Sequence, residues 1–384
     1  VLGDLMLFLS TRARRSAPRP ISWSVLAVLA LFLPAISRAQ SPGSCRRIAL
    51  DPAPAWSPSA AWSPDGRELV LLDIVGARLL RYRDGKPSGI VVSPGRAELE
   101  FNDPIDLSTI PGGFLLTNYP GKLIWLDPGF HPSKALDFLR VKAKIHLHEH
   151  DNVERFSLNS PRLVSDSVIG FAILHLNDTP WEGFVRSTLK PFLLTDLIEE
   201  IQPKAPEDRL FRLLGQGTAL AAGGDYALRW AQTTYILQLW PQTHRLKAFP
   251  AGFEALPKLP EGVGGMAGGP ILYKALEHST SADRLYGQGA YLYLLTRKPT
   301  GQGPLWQLWQ IDPQRDAVLR SMTLPTHASH ILLAPGQVDW AVIEKGPVIE
   351  EGKQAIKSML LIPSSWIEDP TSEALADGKA VSCP

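Results

Sequence analysis

The stretch Ala60-Ala61-Trp62-Ser63-Pro64-Asp65-Gly66-Arg67-Glu68-Leu69-Val70-Leu71-Leu72-Asp73 decides the fold. A short β-rich segment runs into Ser-Pro-Asp-Gly, and a wholly apolar run, ELVLLD, follows at once. Gly66 suits a tight connection between antiparallel strands because it adopts positive φ without steric cost. The same phrase recurs along the chain: a β-rich run, a turn or loop, and a second β-rich run. The first runs are Glu68 to Asp73, Gly113 to Asn118, Val168 to His175, Tyr226 to Gln232, Ala290 to Arg297 and Val338 to Glu344. The second runs are Ala77 to Tyr82, Lys122 to Asp127, Gly183 to Leu189, Tyr235 to Trp240, Leu305 to Ile311 and Ser358 to Pro363. Successive first runs lie roughly 45 to 65 residues apart, a period that fits a four-stranded propeller blade with loops of varied length. The 34 prolines and 31 glycines fall at the joints, as many short strands separated by turns require. The expected fold is therefore all-β: a single β-propeller of six four-stranded blades. Only Lys190 to Gln202 carries helix spacing, in Leu193, Leu194, Leu197, Ile198 and Ile201, and it is expected to be a helical insertion or connector.

Ala60 to Asp73 resembles the repeat of TolB-like propellers, in which a Ser-Pro-Asp-Gly turn joins the two innermost strands of a blade. Residues 104 to 127 resemble the related NHL-type blade, with Pro104-Ile105-Asp106-Leu107, then Pro111-Gly112-Gly113, then KLIWLD. The third to fifth units depart from both patterns, with long insertions and no Ser-Pro-Asp-Gly turn. The resemblance implies a ring that one terminus closes by supplying a strand to the blade built by the other. Arg46 to Leu50 would be that outer strand, added to a unit made of His330 to Ala334, Val338 to Glu344 and Ser358 to Ile362. It also implies that the ends of the first runs surround the mouth of a central channel. Asp73, Asn118, His175, Asn177, Gln232, Arg297 and Glu344 stand there, a ring of mixed sign able to recognise a small polar ligand or a peptide. Ordinary solvated turns have the same composition.

Residues 1–39 predict export. Arg12, Arg14, Arg15 and Arg19 precede the apolar stretch Trp23 to Leu33, and Ser37-Arg38-Ala39 offers small residues for cleavage after Ala39. The stretch is shorter than the ~20 residues that cross a bilayer, and no later segment is apolar for long enough. Residues 40–384 are then the propeller domain, destined for the periplasm or the outside of the cell. Removing residues 1–39 takes away five arginines and one aspartate, so the formal charge moves from +1 to −3. With charges of both signs interspersed and no basic stripe, nucleic acid is excluded as a partner. The two cysteines, Cys45 and Cys383, flank all six repeats, and in an oxidising compartment they predict a disulfide at the ring's seam. In the chain-entropy model such a loop is worth about 5 kcal/mol.

Chemical motifs are sparser. Lys144-Ile145-His146-Leu147-His148-Glu149-His150-Asp151 would place His146, His148 and His150 on one face of a strand, where neutral imidazoles can bind Zn²⁺ or another divalent metal. Adjacent same-face ligands lie about 7 Å apart in an extended strand, so two of them meet one ion more readily than three. The plainer reading, a polar outer strand or loop between the second and third units, is preferred. No nucleophile elbow, His-Glu-x-x-His or Cys-x-x-Cys pair occurs, and Gly264 to Gly269 precedes no helix pattern. Most of the 11 tryptophans, Trp62, Trp230, Trp240 and Trp340 among them, fall in or beside strands, where packing between blades uses them. The sequence favours a binding or scaffolding module for a protein, peptide or small molecule. A metal-dependent propeller lyase or hydrolase and a structural part of an envelope complex are the alternatives.

Overall fold

The computed structural model describes residues 44–55, 57, 59–92, 100–101, 104–118, 122–137, 156–165, 168–176, 182–189, 192–201, 218–221, 224–230, 233–255, 278–348 and 354–369. Within them lie six antiparallel four-stranded sheets. The first comprises β2 (Ala60–Trp62), β3 (Glu68–Asp73), β4 (Arg78–Arg83) and β5 (Lys86–Val92). The second holds β6 (Pro104–Ile110), β7 (Gly113–Asn118), β8 (Lys122–Leu126) and β9 (Pro132–Asp137), and the third β10 (Phe156–Ser165), β11 (Val168–Leu176), β12 (Glu182–Leu189) and β13 (Phe192–Ile201). The fourth is β14 (Thr218–Ala221), β15 (Gly224–Trp230), β16 (Thr234–Trp240) and β17 (His244–Arg245), and the fifth β18 (Ser281–Gln288), β19 (Tyr291–Lys298), β20 (Leu305–Asp312) and β21 (Ala317–Thr323). The sixth combines β22 (His330–Ala334), β23 (Asp339–Val348) and β24 (Gln354–Pro363) with β1 (Arg46–Ala49), which pairs Arg46 with Leu361 and Ala49 with Ser358.

Alternation within the described middle strands explains how neighbouring sheets stack. Leu69 and Leu71 enter one apolar cluster with Leu332, Ala341 and Ile343 of the sixth sheet, while Val70 and Leu72 enter another with Phe114, Leu116 and Ile124 of the second. A strand buried on both faces reads as an uninterrupted apolar run, which is why ELVLLD has no polar alternation. The fourth and fifth sheets share a cluster around Leu228, Ile236, Leu292 and Leu294, and the fifth and sixth share one around Trp306, Leu308, Trp340 and Val342. Burying each such Leu or Val side chain contributes roughly 1.5–3 kcal/mol. Trp306 and Trp340 are fully buried, and each indole finds an acceptor, the Ala328 carbonyl at 2.8 Å and Glu368 Oε1 at 3.2 Å. Glu368 ends a short helix, α1 (Ser364–Glu368), held where Ser364 N–H meets the Val338 carbonyl at 2.8 Å and Ser364 Oγ donates to the Gly336 carbonyl at 2.6 Å. Cys45 is buried in the same cluster as Trp340 and is not a free thiol, whereas Cys383 lies outside the described residues.

The Ser63–Glu68 turn has a direct chemical basis. Ser63 Oγ donates to Asp65 Oδ1 at 2.5 Å, the Arg67 and Glu68 amides donate to Asp65 Oδ1 and Ser63 Oγ, and Gly66 takes φ +70°. The Ser63 hydroxyl is the main reason that the Asp65 carboxyl lies below the ordinary aspartate range. At the matching turn in the second sheet, a Cβ on Gly113 would sit 2.0 Å from the Leu126 carbonyl oxygen, so strand β8 approaches a backbone that only glycine leaves open.

One sequence expectation is overturned. Residues 192–201, expected as a helix, form β13, the fourth strand of the third sheet. Two register shifts each insert an unpaired residue, so Leu194 and Leu197 oppose Ser187 and Val185, alternate positions of β12. A bulged strand thereby acquires apolar intervals of three and four, which mimic helix spacing.

Candidate ligand-binding end of the sheets

The two ends of the sheets are built differently. In each sheet the first-to-second and third-to-fourth strand connections leave from one end, and these are short: 63–67, 84–85, 111–112, 127–131, 166–167, 190–191, 222–223, 241–243, 289–290, 313–316 and 335–338. The opposite end receives the second-to-third connections and the chain passing from one sheet to the next. Those latter segments span 50–59, 93–103, 138–155, 202–217, 246–280 and 324–329. This is also the end at which each innermost strand begins and its partner finishes.

Several polar side chains are buried there. Asp73, fully buried at the end of β3, accepts hydrogen bonds from the Ala55 amide at 3.2 Å and Arg78 Nε at 2.8 Å. Those bonds tie the segment entering the first sheet to its second strand. Asn118 is buried at the end of β7, in register with Pro104 and Lys122. Ser59 Oγ donates to the Leu107 carbonyl at 2.9 Å and accepts from the Leu107 amide at 3.1 Å, joining the innermost strands of the first and second sheets. Arg297 is buried near the end of β19, donates to the Ser329 carbonyl at 3.2 Å and lies 5.6 Å from the Trp306 ring centroid. Glu344, half-buried, accepts from Thr326 Oγ1 at 2.6 Å, from Arg47 at 3.1 Å and from Ser358 Oγ, so its carboxylate clasps β1 against the sixth sheet. His175 lies in β11, in register with Ser157. Asn177, Gln232, His146, His148 and His150 lie outside the described residues, and among the described residues no three potential metal ligands gather.

The sequence reading missed the most unusual group at this end. It ended the second strand of the last unit at Glu344, whereas β23 runs on through Lys345 to Val348. Lys345 stands in register with His330, the first residue of innermost strand β22, and only 8 % of each residue is exposed. Burial brings the Lys345 ammonium down to about 7, with Arg284 adding repulsion and Asp283 partly opposing it. Both of those charges come from β18, the innermost strand of the fifth sheet, so Lys345 senses the place where two innermost strands begin. Arg284 also hydrogen-bonds the Tyr286 hydroxyl, which accepts the Leu333 amide of β22 at 3.2 Å. Period alone locates a strand but not its last residue, and a lysine after Ile-Glu and before Gly-Pro looks like a solvated strand end.

A second buried cation, absent from the sequence-based candidates, lies between the third and fourth sheets. Arg186 donates to Asp225 at 2.9 Å and lies 4.2 Å from the Trp240 ring centroid. Both charged residues are buried.

No protein-family model matches the chain, and no curated protein matches it. Among solved structures it is similar to a member of the DUF4221 family from Bacteroides vulgatus, with a TM-score of 0.54 and 10% identity over 83% of this chain and 97% of that one. The chain is an all-β propeller. It is also similar to a gluconolactonase from Xanthomonas campestris, with a TM-score of 0.46 and 15% identity over 85% of this chain and 92% of that one. A luciferin-regenerating enzyme gives a TM-score of 0.47 and 11% identity over 83% and 95%. At these identities the likeness concerns the fold. Among the described residues no helix of the propeller is long and apolar enough to cross a membrane.

Proposed function

We propose that residues 40–384 are an exported binding module that holds a small polar molecule or a peptide at the end of the ring carrying the long connections. The observation that supports this most strongly is the division of labour between the two ends. One end spends few residues on turns, while the other receives the longer connections and holds the buried residues Arg297, His330 and Lys345. Binding sites favour loops positioned by a rigid scaffold. In this proposal the six sheets are six blades of the TolB-like and NHL-like kind, and β1 completes the last blade at the seam. Cys45, buried beside that seam, pairs with Cys383. Export follows cleavage after Ala39.

The test is hydrogen-exchange mapping of the secreted protein, after a thermal-shift screen of small polar molecules and peptides. Protection by a hit is expected in 74–77, 299–304 and 324–330. Protection confined to 84–85, 127–131 and 289–290 would place binding at the other end and overturn the proposal. N-terminal sequencing of the exported protein checks the cleavage, and non-reducing peptide mapping checks the cysteine pair. Elemental analysis of wild type against a His146→Ala, His148→Ala, His150→Ala variant tests the metal-enzyme alternative. Stoichiometric zinc that the variant loses would move the function to that segment.

A further inference from the structure

Residues 364–369 form a strap laid across two sheets. It leaves the sixth sheet at Pro363, and Ser364 fastens its start to the Val338 and Gly336 carbonyls. Its far end is held by the fifth sheet. Arg320 of β21 donates to the Ile367 carbonyl at 2.5 Å, and Gln310 of β20 donates to the Glu368 carbonyl at 3.4 Å while its own Oε1 accepts from Arg320 Nε at 2.9 Å. Ile367 is fully buried in the cluster that these two sheets share around Trp306 and Trp340. The helix within the strap has 5 residues, too few to be stable without these contacts.

The Glu368 carboxyl is half-buried against neutral donors. Oε1 accepts from the Trp340 indole of β23 at 3.2 Å, and the Gln288 amide of β18 donates to the carboxyl as well. Arg320, the cation of the fifth sheet that reaches the strap, is committed to Ile367 and Gln310. Tyr293 of β19 accepts from Gln310 at 3.2 Å, and burial raises its phenol, which stays neutral; Asp369 faces Arg320 and brings no positive charge. Among the described residues no salt bridge reaches Glu368. Burial raises its carboxyl above the ordinary 4.5, against the two hydrogen bonds, which lower it.

We propose that 364–369 is a proton-controlled strap: with Glu368 protonated it clamps the fifth sheet to the sixth, and ionisation of Glu368 loosens the clamp. The docked carboxyl keeps its proton to higher pH than a released one, which returns to the ordinary 4.5. Docking is therefore strongest below 4.5, weakens as pH rises through the raised value of the docked carboxyl, and levels above it. A single proton limits the loss to about tenfold per pH unit.

The test is hydrogen exchange of the secreted protein between about pH 4 and pH 8, with each rate divided by the intrinsic amide rate at that pH. Protection of 364–369 is expected to fall as pH rises and then level, while peptides from β20 and β23 keep theirs. Glu368→Gln, isosteric with the protonated acid, is expected to hold its protection throughout, and Asp369→Asn to behave as wild type. Wild-type protection that does not change with pH would overturn the proposal. So would a parallel fall in Glu368→Gln, or its disappearance in Asp369→Asn, because another group would then carry the titration. If Glu368→Gln fails to dock at any pH, the wild-type series together with Asp369→Asn still decides.

Discussion

Arg186 and Lys345 are both buried basic residues, and they are treated in opposite ways. Arg186 has Asp225 at 2.9 Å and stacks on Trp240, so its charge is neutralised and its plane is held. Lys345 has a histidine across the ladder, an arginine on the next sheet and no carboxylate in contact among the described residues. Charge pairing explains the first as a device that sets how the third sheet meets the fourth. The second has no such structural return.

The largest expected effect breaks the paired junction. Asp225→Ala leaves the Arg186 charge buried and uncompensated and should cost about 3–5 kcal/mol in denaturant-induced unfolding. A loss under about 1 kcal/mol would mean that water reaches this junction and that the contrast with Lys345 is not one of burial. A smaller effect of opposite sign is expected at the other junction. Lys345→Met should stabilise the protein by on the order of 1–2 kcal/mol at pH 6, visible as a rise of several degrees in Tm. A destabilised variant would show that the ammonium has an acceptor. The pH dependence sharpens this. Because the folded lysine lies near 7 and the ordinary value is 10.5, the unfolded chain holds a proton between those limits that the folded chain lacks. Wild-type stability should therefore gain from this lysine as pH rises from about 7 towards 10.5, and the difference between wild type and Lys345→Met should shrink across the same window. The smallest effect belongs to the double variant Arg186→Met with Asp225→Leu. Replacing both charges by apolar groups should leave stability within about 1 kcal/mol of wild type or slightly above it.

Much of the architecture was legible because strands such as β3 and β7 are buried on both faces and therefore stand out as compact apolar runs. Glu68 to Asp73 and Gly113 to Asn118 coincide with β3 and β7, and Arg46 to Ala49 pairs with β24. The strand 192–201 was illegible because two bulges stretched its period, and bulges depend on the partner strand rather than on local sequence. Asp73 and Glu344 were found as polar residues at run ends, but their engagement with Ala55, Arg78, Arg47 and Thr326 joins residues distant in the chain. Lys345 escaped notice because nothing local marks a lysine one residue past an apolar run as buried.

The order of polar and apolar residues, with glycine where φ must be positive, determined by itself that this chain forms short antiparallel strands in repeated units. Those preferences are local: they concern a few dihedral angles and the two faces of one strand. Only the tertiary structure decided which charges are neutralised and which are not. That depends on which sheets pack together and on how much water remains between them, and neither is a property of any one segment.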